Sequence, residues 1–574
     1  MPTSPQDDNT FHVGLCMAGA VSAGAYTAGV MDYLIEALQE WQRRKDAGLP
    51  DTPSHKVSIP VMAGASAGGM TTLITAAALS NAMVPVSKPT SDLLAERPEN
   101  KLYHSWVDLT NVDMFPLMLN TDDINNNEII SLLNSSFIDD IANRALKAEP
   151  TNQKPLPPFF DPELKLFTTL TNLKGFNYDF SFNSSDASTG KYYMSIHNDY
   201  ACFKMDETDG KTDTTKDKEE ENDEGWIPLD FKKNVNCDIA RDAAMATGAF
   251  PVGLKSRTLK RKSCNVNQIP FCNQILKSFP IEDGACETLN VDGGLINNEP
   301  FERVREVLNS KTGQQNENEY HDFNKFKGTI LMIDPFPSEP PGPFKPSQKL
   351  FNVMGLTFSA MMNQMRAKPI TLSNAMQEDK AGLYLIAPTR RRPTLDGKEV
   401  EIAGDKAIAC GALDGFAGFM NKEFRVHDYF LGRFNCEMFL RNFFTVPESA
   451  ISQNPIFREG YKNVNKELFK ADDGFYQIIP IFAKKPEGHY FPIPVFSSGT
   501  NWPVIKEDKI DAFEPYVKKR VQALIMNAVK VKGVNKFLIW AGAKIVLNRM
   551  LTNNAMGAIK ASLTKHQLLK SESE

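Results

Sequence analysis

The sequence predicts an α/β fold: a mainly parallel sheet with helices on both faces, followed by a largely helical C-terminal region. Two observations carry this. Apolar runs of strand length alternate with stretches of helical spacing, the order that builds parallel sheets. The chain has 574 residues, 42% hydrophobic and 23% charged, which is ordinary for a soluble globular protein and long enough for two or more structural units. No internal repeat is visible.

In chain order, residues 1–10 are polar, with acids at Asp7 and Asp8, and are expected to be flexible. They lack the basic and apolar regions of a secretory signal. No apolar run reaches the roughly 18 residues of a transmembrane helix. Cytoplasmic residence is expected, peripheral at a membrane, with export only by a signal-less route. Phe11–Met17 reads as a strand. The small-residue loop from Ala18 to Gly24 then enters an amphipathic helix through Met31, Leu34, Ile35 and Leu38. Val57–Met62 is a second strand, and Gly69–Leu79 a strong helix former. Leu164–Asn172, Tyr192–His197, Leu289–Asp292 and Gly328–Asp334 read as further strands. From Lys204 to Gly225 lie ten acids and four lysines, expected to form a solvated, mobile insertion. Pro335–Pro343 can be neither helix nor central strand, so a boundary is expected near 340. This gives a catalytic unit over 11–340 and an extension over 341–574. In the extension, the methionine-rich segment Phe351–Met365 suits either a pliable lipid-facing surface or adaptable core, and core is preferred.

Three motifs carry chemistry. Gly64-Ala65-Ser66-Ala67-Gly68 lies between a strand and a helix. G-x-S-x-G there marks a nucleophile on a tight bend, with Gly64 and Gly68 giving the room that the turn needs. The second motif is Asp292-Gly293-Gly294 at the end of an apolar strand, which taken alone reads as a simple turn. The third is the loop at Gly19-Ala20-Val21, which feeds a helix N-terminus and suits an oxyanion. Ser22, also among small residues, is a rival nucleophile. Asp283, in Asp283-Gly284-Ala285, is a rival to Asp292.

These blocks, in this order, resemble the patatin-like phospholipases over roughly residues 11–335. The resemblance implies a patatin-like three-layer sandwich and lipid acyl hydrolysis by a Ser–Asp dyad. Ser66 would be the nucleophile, Asp292 the base, and Gly19, Ala20 and Val21 the oxyanion hole. Gly24 and Gly29 match later family glycines, Ala243–Pro251 the helix before Phe-Pro, and Asn297 and Asn298 the Asn after the aspartate. Gly411–Phe416 and Arg425–Arg433 look similar to C-terminal segments of long bacterial members. The family's glycine triplet and following Arg are reduced here to Gly19-Ala20-Val21 and Ala23, a backbone less free to turn.

Alternatives remain beside the dyad. The order Ser, Asp, His also fits an α/β-hydrolase triad using His427 or His489. A catalytically weak lipid-binding scaffold is the third reading. No cofactor and no metal are implied: the eight cysteines show no zinc spacing, and no EF-hand pattern exists. The cysteines are expected to be mostly free buried thiols, with a disulfide or metal among Cys264, Cys272 and Cys286 the lesser reading. The substrate implied is a phospholipid or other lipid ester. Residues 515–570 hold nine lysines and two arginines without an acid, in a chain of net charge −6. Their apolar spacing at Val517, Val521, Leu524, Ile525 and Ala528 suits either docking on an anionic membrane or a helical subdomain with a solvated basic face. The negative overall charge and the lack of any motif argue against nucleic acid.

Overall fold

The computed structural model describes residues 9–81, 83–88, 99–108, 114–124, 128–147, 155–182, 191–205, 225–277, 279–282, 284–314, 322–337, 346, 348–366, 383–393, 398–484, 495–528 and 534–570. The acidic stretch at 206–224, Asp283, His321 and His489 lie outside them, as do residues 1–8.

Nine strands form one sheet. They are β1 (Thr10–Met17), β2 (Lys56–Gly64), β3 (Phe160–Ser181), β4 (Lys191–Met205), β5 (Ile227–Leu229), β6 (Arg257–Lys262), β7 (Ala285–Asp292), β8 (Gly328–Ile333) and β9 (Leu383–Ile386). The main path runs β5-β4-β3-β2-β1-β8-β9. Five strands, from β3 through β2, β1 and β8 to β9, are mutually parallel. The hairpin of β3 and β4 and the pairings of β7 with β3 and β6 are antiparallel. β1 and β2 are apolar and almost wholly buried, as central parallel strands covered on both faces must be. This is the α/β architecture expected.

Helices α1 (Gly24–Asp46), α2 (Ser66–Leu79), α3 (Ser136–Ala145), α4 (Cys237–Thr247) and α5 (Phe301–Thr312) belong to the N-terminal part of the chain. Beyond β8 come α6 (Leu350–Arg366), α7 (Lys422–Asn442), α8 (Glu514–Ala528) and α9 (Val534–Lys565). The chain leaves β8 at the proline-rich stretch and returns to the same sheet as β9. α7 packs on α1 so closely that a Cβ on Gly29 would lie 1.9 Å from the Tyr429 carbonyl oxygen, and one on Gly432 2.2 Å from that of Tyr26. Arg433 of α7 reaches into α1 and pairs with buried Asp32 and with Glu36.

On the methionine-rich helix α6 every side chain described is exposed, including Met354 and Met361. The helix touches the turn after Asp292, at Gly293–Leu295. One expectation is corrected. Arg520 is not part of a solvated basic face. It is 2% exposed, pairs with Asp123 and donates to the carbonyls of Leu132 and Ser131, both at 2.9 Å. Its neighbours Lys518 and Lys519 are exposed. Cys272 and Cys286 are buried free thiols, and Cys264 is an exposed one.

Candidate active site

The register of the sheet brings the two principal candidates together. Gly64, the last residue of β2, pairs with Thr168 of β3, and Asp292, the last of β7, pairs with Leu170. Two residues along one strand thus separate the serine elbow from the aspartate. The elbow itself is a close backbone approach. A Cβ on Gly64 would lie 2.4 Å from the carbonyl carbon of Gly68, and one on Gly68 would lie 2.2 Å from the Met17 carbonyl oxygen. Ser66 takes φ +50°, the left-handed region that a non-glycine residue occupies only under enforcement. Its N–H donates to Thr247 Oγ1 at 2.9 Å.

Ser66 Oγ donates to Asp292 Oδ2 at 2.6 Å. The other carboxylate oxygen, Oδ1, accepts the Gly294 N–H at 2.7 Å. The Asp292 backbone is fixed as well: its carbonyl accepts from Thr171 Oγ1 at 2.8 Å, and its N–H donates to the Ala249 carbonyl at 2.9 Å. Both side chains are buried, at 7% and 5% exposure, yet both line a cleft.

Gly19-Ala20-Val21 lies against the serine. A Cβ on Gly19 would sit 3.0 Å from Ser66 Cβ and 2.4 Å from Asn298 Oδ1. The N–H groups of these three residues have no acceptor among the described residues. The first turn of α2, starting at Ser66, adds further amides without intrahelical partners. Val21 takes φ +48°.

The cleft is about 940 Å³ including its open mouth. Its wall is apolar: Met70, Ile74, Trp106, Ile141, Leu146 and Phe250 among others. Helix α3 forms one side and is tied to β6 by the Arg257–Asp139 ion pair.

The other candidates lie elsewhere. Ser22 is 1% exposed, and its hydroxyl donates to the Gly415 carbonyl, away from any carboxylate. His427 is buried in α7, with Nδ1 2.8 Å from Asp428 Oδ1 and its ring edge-on to Trp502. No histidine among the described residues lines the cleft. No group of three or more His, Cys, Asp or Glu among them is arranged to hold a metal. No helix among them is long and apolar enough to cross a membrane. Thr247 and Asn298, which touch Ser66 and Gly19, were not foreseen as contacts. Both lie in segments quoted for their likeness to the family, and only the fold reveals what they meet.

The family model for patatin-like phospholipases matches residues 15–305. An uncharacterized protein, y4iI, of Sinorhizobium fredii (strain NBRC 101917 / NGR234) is 32% identical over 483 residues. That alignment covers 77% of this chain, which spans 65% of the relative's length. With half the chain matched by the model, including the elbow, the aspartate and the sheet between them, this protein belongs to the patatin-like phospholipase family, a family of lipid acyl hydrolases.

Proposed function

We propose that the chain cleaves carboxylic esters of lipids, as a phospholipase A or lysophospholipase, through an acyl-serine intermediate formed by a Ser66–Asp292 dyad. The observation that carries this reading is the 2.6 Å hydrogen bond from Ser66 Oγ to Asp292 Oδ2 in the wall of an apolar cleft. A serine hydroxyl is a weak nucleophile until a base takes its proton, and here the carboxylate is already its acceptor. As Oγ attacks the ester carbonyl, its proton passes to Asp292 Oδ2. The negative charge that develops on the carbonyl oxygen is received by the free amides of Gly19, Ala20 and Val21. The protonated Asp292 then gives its proton to the departing alcohol. Water, deprotonated by the same carboxylate, then attacks the acyl carbonyl, and Asp292 returns the proton to Ser66 Oγ as the fatty acid leaves. The Gly294 N–H keeps Oδ1 occupied, so that Oδ2 is the oxygen that exchanges the proton. The apolar wall suits an acyl chain.

The substrate sits in aggregates, so the reading includes a membrane contact. The exposed apolar face of α6, next to the turn that follows Asp292, and the exposed Lys518 and Lys519 of α8 support it.

The test is labelling by a fluorophosphonate, with the adduct mapped by mass spectrometry. The expected adduct is on Ser66. Ser66→Ala should abolish labelling and hydrolysis of a short-chain p-nitrophenyl ester, and Asp292→Asn should abolish hydrolysis. Wild-type protein that neither labels nor hydrolyses would leave the lipid-binding scaffold. A His427→Ala or His489→Ala variant as inactive as Ser66→Ala would favour the triad.

A further inference from the structure

We propose that the oxyanion loop does not support itself and that residues 409–419 of the C-terminal part clamp it in place, with Ser22 as the positioning residue. The inference rests on reading Gly19–Val21 as the oxyanion donors.

The loop has a backbone problem that its sequence does not solve. Val21, β-branched, sits at φ +48°. Such a residue keeps that conformation only when its surroundings over-determine it. The residue that follows supplies the enforcement. The Ser22 N–H donates to the Gly415 carbonyl at 3.1 Å. The Ser22 hydroxyl donates to that same carbonyl and accepts the Gly418 N–H at 3.1 Å. Its donor and one acceptor site are thus both spent on one segment, almost 400 residues away in sequence. The approach is at backbone distance. Gly415, at φ +95°, has no room for a side chain: a Cβ there would lie 3.0 Å from Val21 Cβ and 3.3 Å from the Ala20 carbonyl oxygen. One on Gly418 would lie 2.5 Å from Ser22 Oγ.

The clamp is itself anchored from three sides. Ala409 and Cys410 donate to Asp428 Oδ1 and Oδ2 at 2.7 and 2.8 Å. Leu413 and Asp414 are also left-handed, and the Leu413 N–H is held by Ser562 Oγ of α9 at 2.8 Å. The Arg425 guanidinium donates to the Gly418 carbonyl and, across the molecule, to that of Val107. Hydrogen bonds with Asp428, Ser562 and Arg425 thus fix a segment that meets Ala20–Ser22 at backbone distance. All of these partners except Val107 lie beyond residue 305, where the family match ends.

The expected signature is kinetic. An oxyanion amide displaced by a fraction of an ångström loses stabilisation of the transition state but not of the bound ester. On a soluble short-chain p-nitrophenyl ester, Ser22→Ala should lower kcat about 10- to 100-fold and leave KM within about threefold. Gly415→Ala, made from the other side of the contact, should do the same. The two together should cost little more than the larger single change, because both break one contact. Adding Val21→Gly to Ser22→Ala should return kcat to within about fivefold of wild type, because glycine holds a positive φ without enforcement. Melting temperatures and far-ultraviolet circular dichroism separate these effects from misfolding. Should Ser22→Ala fail to fold, Gly415→Ala with and without Val21→Gly carries the same test. Wild-type kcat in the folded variants, or a loss that Val21→Gly leaves untouched, overturns the clamp while the dyad stands. A Ser66→Ala variant that still hydrolyses the ester removes the dyad and the clamp together.

Discussion

Two residues beside the cleft hold backbone angles that L-residues avoid, Val21 at φ +48° and Ser66 at φ +50°. Each costs on the order of 1–3 kcal/mol, offset by packing and hydrogen bonds elsewhere. The serine's partner in this, Thr247, sits at the end of α4, and nothing in the local sequence around Ser66 names it. By contrast the elbow was legible, because strand, small residues and helix are contiguous in the chain. Asp292 was legible for a similar reason: an apolar strand stops at two glycines. Other single residues set the response to pH. His55 is fully buried between Trp41, Phe457 and Tyr461, with Nε2 bonded to the Ile478 carbonyl at 2.8 Å. Burial pushes its pKa down to about 3, and that of His12 down to about 4. Both stay neutral in the fold while an unfolded histidine titrates near 6.5. Their contribution to stability is therefore whole above pH 6.5 and is lost as pH falls toward 4 and then 3, at about 1.4 kcal/mol per unit for each. The melting temperature should drop across this window, and His55→Asn should show a lower plateau with a shallower drop. An equal slope in the variant would contradict this account.

At the scale of elements, exposure rather than periodicity decides what a helix does. α6 and α8 both have apolar residues at helical spacing, but α8 buries Val517 and packs against α9, whereas α6 shows solvent every side chain described on it. Spacing alone could not separate them, because it does not say whether another element will cover the apolar face. Arg520 was illegible for the same reason: it is one cation in a basic run until Asp123 arrives from across the molecule. This separates two kinds of charge reversal. Lys518→Glu with Lys519→Glu should weaken binding to anionic vesicles, by about 1 kcal/mol per residue in contact, with the effect fading at high salt. Arg520→Glu should destabilise the fold by roughly 3–5 kcal/mol, since it leaves Asp123 beside a like charge. Met354→Glu with Met361→Glu should reduce turnover of vesicle lipid several-fold and spare a soluble ester. Vesicle sedimentation over a salt series, thermal melts and the two substrates distinguish these outcomes. Loss of soluble-ester activity in the α6 variant would place that helix in the chemistry instead.

For the whole molecule, a division near residue 340 has a chemical signal in its prolines and no counterpart in the packing. β9 extends the sheet beyond β8, and α7 lies on α1 at backbone contact. Such contacts join residues hundreds of positions apart, and local pattern carries no trace of them. The Asp32–Arg433 pair is a buried ion pair across this junction, with Asp32 also accepting from Asn100 and from the Val86 N–H. Burial raises the Asp32 pKa, and the Arg433 guanidinium opposes this only in part. Arg433→Ala should cost about 3–5 kcal/mol, because it strands a carboxylate in the interior. A chain ending after 340 should fail to give a stable soluble product. Urea unfolding of the first and expression of the second are the measurements, and a stable fragment would refute the junction's role.

The crossing of α1 and α7 also sets an order of events during synthesis. The serine, its aspartate and the sheet between them are complete once β7 has been made. The face of α1 around Tyr26 and Gly29 stays uncovered until residues 422–442 leave the ribosome. At about 5–20 residues per second this interval is roughly 7–30 s. Throughout it, the helix that carries the oxyanion loop lacks its partner, so a nascent chain holds the nucleophile well before it holds the geometry to use it. An ester-cleaving activity would thus wait for the residues that cover α1.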